Sequence, residues 1–172
     1  MKLRSALRWI GISIVGIALA IQLVPYGRAH ANPAVLSEPA WDSPATRDLA
    51  RRACYDCHSN EVRWPWYSHV APVSWLVQRD VDEGRSRLNF SEWNRPQEDA
   101  HEASECVREG EMPLDVYVWM HPDAKLASTD RDALARGLAA TLGGEPEQPT
   151  GKDAPGRGEE DDEGEEARGN GR

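Results

Sequence analysis

The sequence predicts an all-α domain, and three observations predict it. Apolar side chains recur at spacings of three and four in separate segments that open near Ser43, Pro72 and Ser128, which places them on one face of a helix. No stretch shows a convincing strand-like alternation of apolar and polar residues, and the chain holds a single phenylalanine. Composition also divides the chain into an apolar N-terminal segment (residues 1–31), one small domain (32–143) and an acidic tail (144–172), with no internal repeat.

The N-terminal segment carries Lys2, Arg4 and Arg8, then sixteen uncharged residues over 9–24. Pro25, Tyr26 and Gly27 extend the uncharged run to nineteen, with Trp9 and Tyr26 placed as interfacial anchors. We expect a single-pass anchor in the cytoplasmic membrane, with the domain on the periplasmic side because the positive charges precede the apolar run. Ala29-His30-Ala31 has a small-x-small pattern, and cleavage there would give a soluble periplasmic form instead.

Each helix has its own warrant. Ser43-Pro44 is an N-cap and N1 pair, and Ala45, Leu49 and Ala53 follow on one face into Cys54. Pro72 opens a second helix, with Val73, Leu76, Val77 and Val81 on one side and Gly84 near its end. A third is expected between Ser91 and Arg108, its start restricted by Pro96. Ser128 or Thr129 caps the last, whose Leu134, Leu138 and Leu142 form a stripe ending at Gly143-Gly144.

From residue 144 onward there is no large apolar side chain. Four basic and ten acidic groups give that segment a balance of −6 within the chain's −9. It cannot bury enough surface to offset ordering entropy, so a disordered tail is expected. No nucleic-acid partner is expected, and the acidity favours only basic protein surfaces.

The chemistry concentrates in Cys54-Tyr55-Asp56-Cys57-His58. In a Cys-x-x-Cys-His sequence the two thiols can add across the vinyl groups of a haem, and the histidine is held beneath the iron as proximal ligand. The motif follows an export segment, where such attachment belongs. A thioredoxin-like thiol pair would want a βαβ setting. A zinc site would want four ligands, and the remaining cysteine is the solitary Cys106, read as a buried free thiol. A Cys54–Cys57 disulfide would close a tiny loop and stabilise little.

The far side of the iron can take Met112, Met120, His69, His101 or His121. Met112 is favoured because Gly110-Glu111-Met112-Pro113 fits a non-helical loop that can aim a thioether inward; His121 is second. Met120 is expected in the core and His101 on the surface. Trp64, Trp66 and Tyr67 are candidate haem contacts, whose ring N–H and O–H groups can bond propionates or carbonyls. Arg63 is expected to face solvent. A carbonyl near Pro65 or Ala71-Pro72 is expected to orient the ring of His58.

Residues 54–68, Cys-Tyr-Asp-Cys-His-Ser-Asn-Glu-x-Arg-Trp-Pro-Trp-Tyr-Ser, resemble the bacterial haem-binding domain family related to c-type cytochromes. The resemblance continues through Ala-Pro-Val-Ser-Trp-Leu (71–76), Glu-Gly-Arg (83–85), Asn-Phe-Ser-Glu-Trp (89–93), Gly-Glu-Met-Pro (110–113) and His-Pro-Asp-Ala-Lys-Leu (121–126). It implies a membrane-anchored, small cytochrome c-like domain with one covalent haem c outside the cytoplasm. It names no reaction and has no counterpart for the acidic tail.

Two functions follow. A His58/Met112 haem would pass single electrons between membrane or periplasmic partners, and the sequence does not identify the redox partner. Alternatively, an open distal site would make a sensor of a diatomic gas or peroxide, or a small haem enzyme. No His-Arg pair stands beside Met112 to act as distal acid and base, so an enzyme is not expected.

Overall fold

A computed structural model describes residues 2–143; the expectation of a disordered acidic tail lies outside the described residues. They form seven α-helices and three short 3-10 turns, with one isolated β-bridge and no strand. The all-α expectation holds.

Helix α1 (Lys2–Ile21) stands apart from the rest. Residues Leu3–Ile21 are long and apolar enough to cross a membrane, and Leu7, Ile10, Ile14, Ile17 and Leu19 are all exposed. In water each such side chain would forgo about 1.5–3 kcal/mol of burial, which a lipid environment restores. The chain after α1 is fastened to the domain. Gln22 bonds both backbone groups of Ala71, donating from Nε2 to its carbonyl (2.9 Å) and accepting its N–H at Oε1 (3.0 Å). His30 Nε2 donates to the Ser68 carbonyl (3.0 Å), and Asn32 Nδ2 to that of Val62 (2.8 Å).

Helix α2 (Pro44–Ala53) begins as the sequence requires, with the Ser43 hydroxyl accepting from the Thr46 N–H at 3.2 Å. It ends at Cys54, and the single turn α3 (Tyr55–His58) carries the motif. Helix α4 (Val73–Arg87) packs on α3. Its expected apolar stripe divides: Val81 is buried, whereas Val73 and Leu76 stay substantially exposed.

The expected helix from Ser91 to Arg108 is much shorter. A 3-10 turn (Ala100–Glu102) leads into α5 (Ala103–Glu109). The Ser91 backbone is spent elsewhere, its carbonyl accepting from the N–H groups of Leu36 (2.8 Å) and Ser37 (3.2 Å). Gln97 then holds the 89–97 segment as a turn, accepting from the Asn89 N–H and donating to the carbonyls of Glu92 and Arg95.

Helix α6 (Asp115–Met120) has no counterpart in the sequence reading. Met120, expected in the core, is 42% exposed, because the short helix turns its apolar side outward. Helix α7 (Ser128–Leu142) has Ala127 in the cap position and no side-chain cap, so neither Ser128 nor Thr129 plays the expected part. Its leucine stripe holds. Leu134 and Leu138 join Ala50, Tyr55, Phe90 and Val107 in one core, with Leu142 packed at its edge. Helices α2, α5 and α7 close around that core and leave α3 along one side, against α4.

Candidate functional site

Three neighbours fix the motif turn. Within α3 the N–H groups of Cys57 and His58 both bond the Cys54 carbonyl, at 3.1 and 2.9 Å. The His58 carbonyl accepts from the Phe90 N–H at 2.8 Å, which ties the turn to the core. On the other side α4 comes into backbone contact at Gly84. A Cβ built there would lie 2.5 Å from the Cys57 carbonyl oxygen and 3.1 Å from its Cβ. Glycine is therefore required by close approach.

A buried polar lock follows the motif. The Ser59 hydroxyl donates to the Tyr55 carbonyl (2.8 Å), and the Asn60 N–H donates to the Ser91 hydroxyl (2.9 Å). Asn60 also accepts from Asn89 Nδ2 (3.0 Å) and donates to the Ala34 carbonyl (3.0 Å). Both side chains are almost completely buried and satisfied.

His58 makes the decisive contact. Its Nδ1 lies 3.1 Å from the Leu88 carbonyl, a partner that can only accept, so the proton sits on Nδ1 and the lone pair is left on Nε2. The orienting carbonyl is thus that of Leu88, not one near Pro65 or Ala71-Pro72 as the sequence suggested. Burial holds the imidazole below its ordinary value and keeps it neutral, although the Leu88 and Gly84 backbone acceptors pull the other way.

Two cavities meet at this ring. A cleft of about 380 Å³ is lined by Cys54, Cys57, His58, Gly84, Met112 and Tyr117 among others. A smaller space of about 110 Å³ is lined in part by Cys54, His58, Phe90, Cys106 and Met112. The larger falls within the roughly 300–1,000 Å³ of small-molecule sites. Met112 borders both because α5 ends at Gly110 in the left-handed region (φ +81°), and the N–H groups of Glu111 and Met112 fold back to the Cys106 carbonyl at 2.9 and 3.1 Å.

Burial pushes both motif thiols up to about 12, helped at Cys54 by Cys57 and at Cys57 by the charges of Asp80 and Asp56. They are free thiols, as is Cys106. No cluster of three or more His, Cys, Asp or Glu side chains able to hold a metal ion occurs among the described residues, which leaves zinc without support. The donor set fits a haem: two thiols on one turn, a neutral imidazole with a free Nε2, and a thioether on the same cleft.

The other candidates separate by place. His121 spends both ring nitrogens, with Nε2 3.1 Å from the Tyr67 hydroxyl and Nδ1 3.0 Å from the Tyr117 carbonyl. His69 meets His30 edge to face, and His101 is a surface residue beside Glu102. Tyr67 lines a third, apolar cleft together with Cys57 and His121. Trp64 stacks on His30 and donates to Asn32 Oδ1 (3.2 Å), while Trp66 is 78% exposed. Neither tryptophan borders the two cavities described above.

Sequence reading missed Asp56 and Tyr117. The buried Asp56 carboxylate accepts from the Tyr117 hydroxyl (2.7 Å) and from the Arg63 backbone N–H (3.1 Å), and pairs with the Arg63 guanidinium (3.3 Å). Arg63 faces solvent, as expected, yet it is paired. The signal for the link to Tyr117 was faint: an acidic residue inside the motif, followed by a tyrosine in an apolar run sixty-one positions away.

A family model described as a haem-binding domain matches residues 16–140. Comparison with curated proteins and with solved structures finds no match.

Proposed function

The chain belongs to the haem-binding domain family and binds haem, and from that premise we propose that it carries one haem c and passes single electrons at the periplasmic face of the cytoplasmic membrane. Cys54 and Cys57 hold the group through two thioethers, His58 Nε2 is the proximal ligand, and the Met112 sulfur is the distal one. The observation that carries this reading is the bond from His58 Nδ1 to the Leu88 carbonyl, with Met112 on the same cleft. It presents a neutral nitrogen lone pair, with the ring orientation already set. When bound, the haem would supply a reversible one-electron centre, held by Cys54, Cys57, His58 and Met112.

The chain's part is positional. Gly84 admits α4 against the motif, the lock at Ser59 and Asn60 keeps the turn from relaxing, and the loop after Gly110 brings Met112 to the cleft. Helix α1 supplies the membrane attachment. Optical spectra of the matured protein, oxidised and reduced, test the reading. A low-spin spectrum unaltered by carbon monoxide in the ferrous state is expected. Rapid carbon monoxide binding would instead favour a gas or peroxide sensor, or a small haem enzyme.

A further inference from the structure

We propose that the apolar face formed by the 3-10 turn Trp66–His69, α4 and α6 is a membrane-docking surface, laid against the lipid headgroup region that α1 enters. The proposal rests on α1 being the anchor.

The face surrounds the apolar cleft of about 100 Å³ bordered by Val73, Leu76, Val77, Val116 and Met120. Trp66 and Trp119, each next in the chain to residues that line the cleft, are 78% and 79% exposed, and Val70, Val73, Leu76, Val116 and Met120 are exposed as well. An apolar patch of this kind on a small domain marks an interaction surface.

Three observations say what covers it. First, the face is continuous with the anchor. Leu76 lines the cleft and also lines an open groove with Val24, Tyr26, Trp75 and Arg79, so a largely apolar wall is shared between the chain just after α1 and the cleft. Second, it is tied to the chain just after the anchor. The two bonds between Gln22 and Ala71 clamp the residue after α1 to the segment between exposed Val70 and Val73. Third, its chemistry suits the interface. Indole rings settle at the headgroup level, where one edge is apolar and the other wet. The two carboxylates bordering the cleft, Asp56 and Asp80, are each paired, with Arg63 and Arg79. Cys57 also borders this cleft, so docking holds the haem attachment site at the membrane surface, within reach of a membrane-embedded redox partner.

Spin labels on the full chain in phosphatidylcholine–phosphatidylglycerol vesicles provide the test. In a Cys106→Ser background, single cysteines are introduced by Trp66→Cys, Trp119→Cys, Ile14→Cys in α1 and Asp132→Cys on α7, and the haem spectrum checks that each variant is folded. Labels at 66, 119 and 14 should collide more often with oxygen than with a water-soluble nickel chelate, and the label at 132 should show the reverse. If 66 and 119 behave like 132 while 14 keeps its oxygen preference, the docking proposal is overturned and the anchor survives. Labels at 66 and 119 shielded from both reagents, with broadening relieved by unlabelled chain, would overturn it in favour of a second copy. Nickel access at 14 would remove the anchor reading and the proposal together.

Discussion

At position 112 a thioether and at position 121 an imidazole compete for one role, and their surroundings separate them. Met112 borders both cavities that contain His58, whereas each nitrogen of His121 already has a partner. Met112→Ala should therefore abolish the far-red sulfur-to-iron absorption, lower the reduction potential and admit carbon monoxide, with haem retained. His121→Ala should leave the coordination unchanged; the reverse pattern in paired spectra would reassign the ligand. A methyl at Gly84 must displace the Cys57 backbone, so Gly84→Ala should destabilise the fold by about 1–3 kcal/mol, read by thermal unfolding, and disturb the haem spectrum. With the Cys54 and Cys57 pKa values pushed to about 12, the thiolate fraction at pH 8 is on the order of 10⁻⁴, against about a quarter for an ordinary cysteine. Alkylation of Cys54 and Cys57 in a folded, haem-free chain should be slowed on the order of a thousandfold relative to the denatured chain. It should accelerate as pH rises towards 12.

Between elements, one bond ties α6 to the motif turn: the Tyr117 hydroxyl donates at 2.7 Å to the buried Asp56 carboxylate. Tyr117→Phe removes a donor from a buried carboxylate, which should cost about 1–3 kcal/mol in a denaturant titration. Ser43→Ala removes the α2 cap and the hydroxyl contact with Thr46, and should cost about 1 kcal/mol. That cap was legible because Ser-Pro acts locally, and α7 was legible because Leu134 and Leu138 repeat at helical spacing into the core. Helix α6 was not, since Val116, Trp119 and Met120 face outward and pattern reading assigns apolar residues to a core. The 91–99 segment was misread because Ser91 bonds residues 36 and 37, a pairing that no local pattern records. At the site, the motif and the loop around Met112 were legible. The Leu88 carbonyl was not, because a backbone acceptor thirty residues away leaves no mark in side-chain identity.

The described residues form a membrane-length helix, a clamp at residues 22–32 and a helical domain with the motif turn beside its core. The clamp bears on topology. Gln22 and His30 both bond the domain, so cutting after Ala31 would remove contacts that hold its 68–71 segment. We expect the chain to remain uncut and in the membrane fraction. The most direct test of the central claim, covalent haem on an anchored chain, is the intact mass of protein extracted from membranes and denatured in acid. The expected mass is that of the 19.1 kDa chain, uncut before residue 32, plus one haem that denaturation does not release. A denatured polypeptide at its bare mass, with haem free in solution, would contradict it.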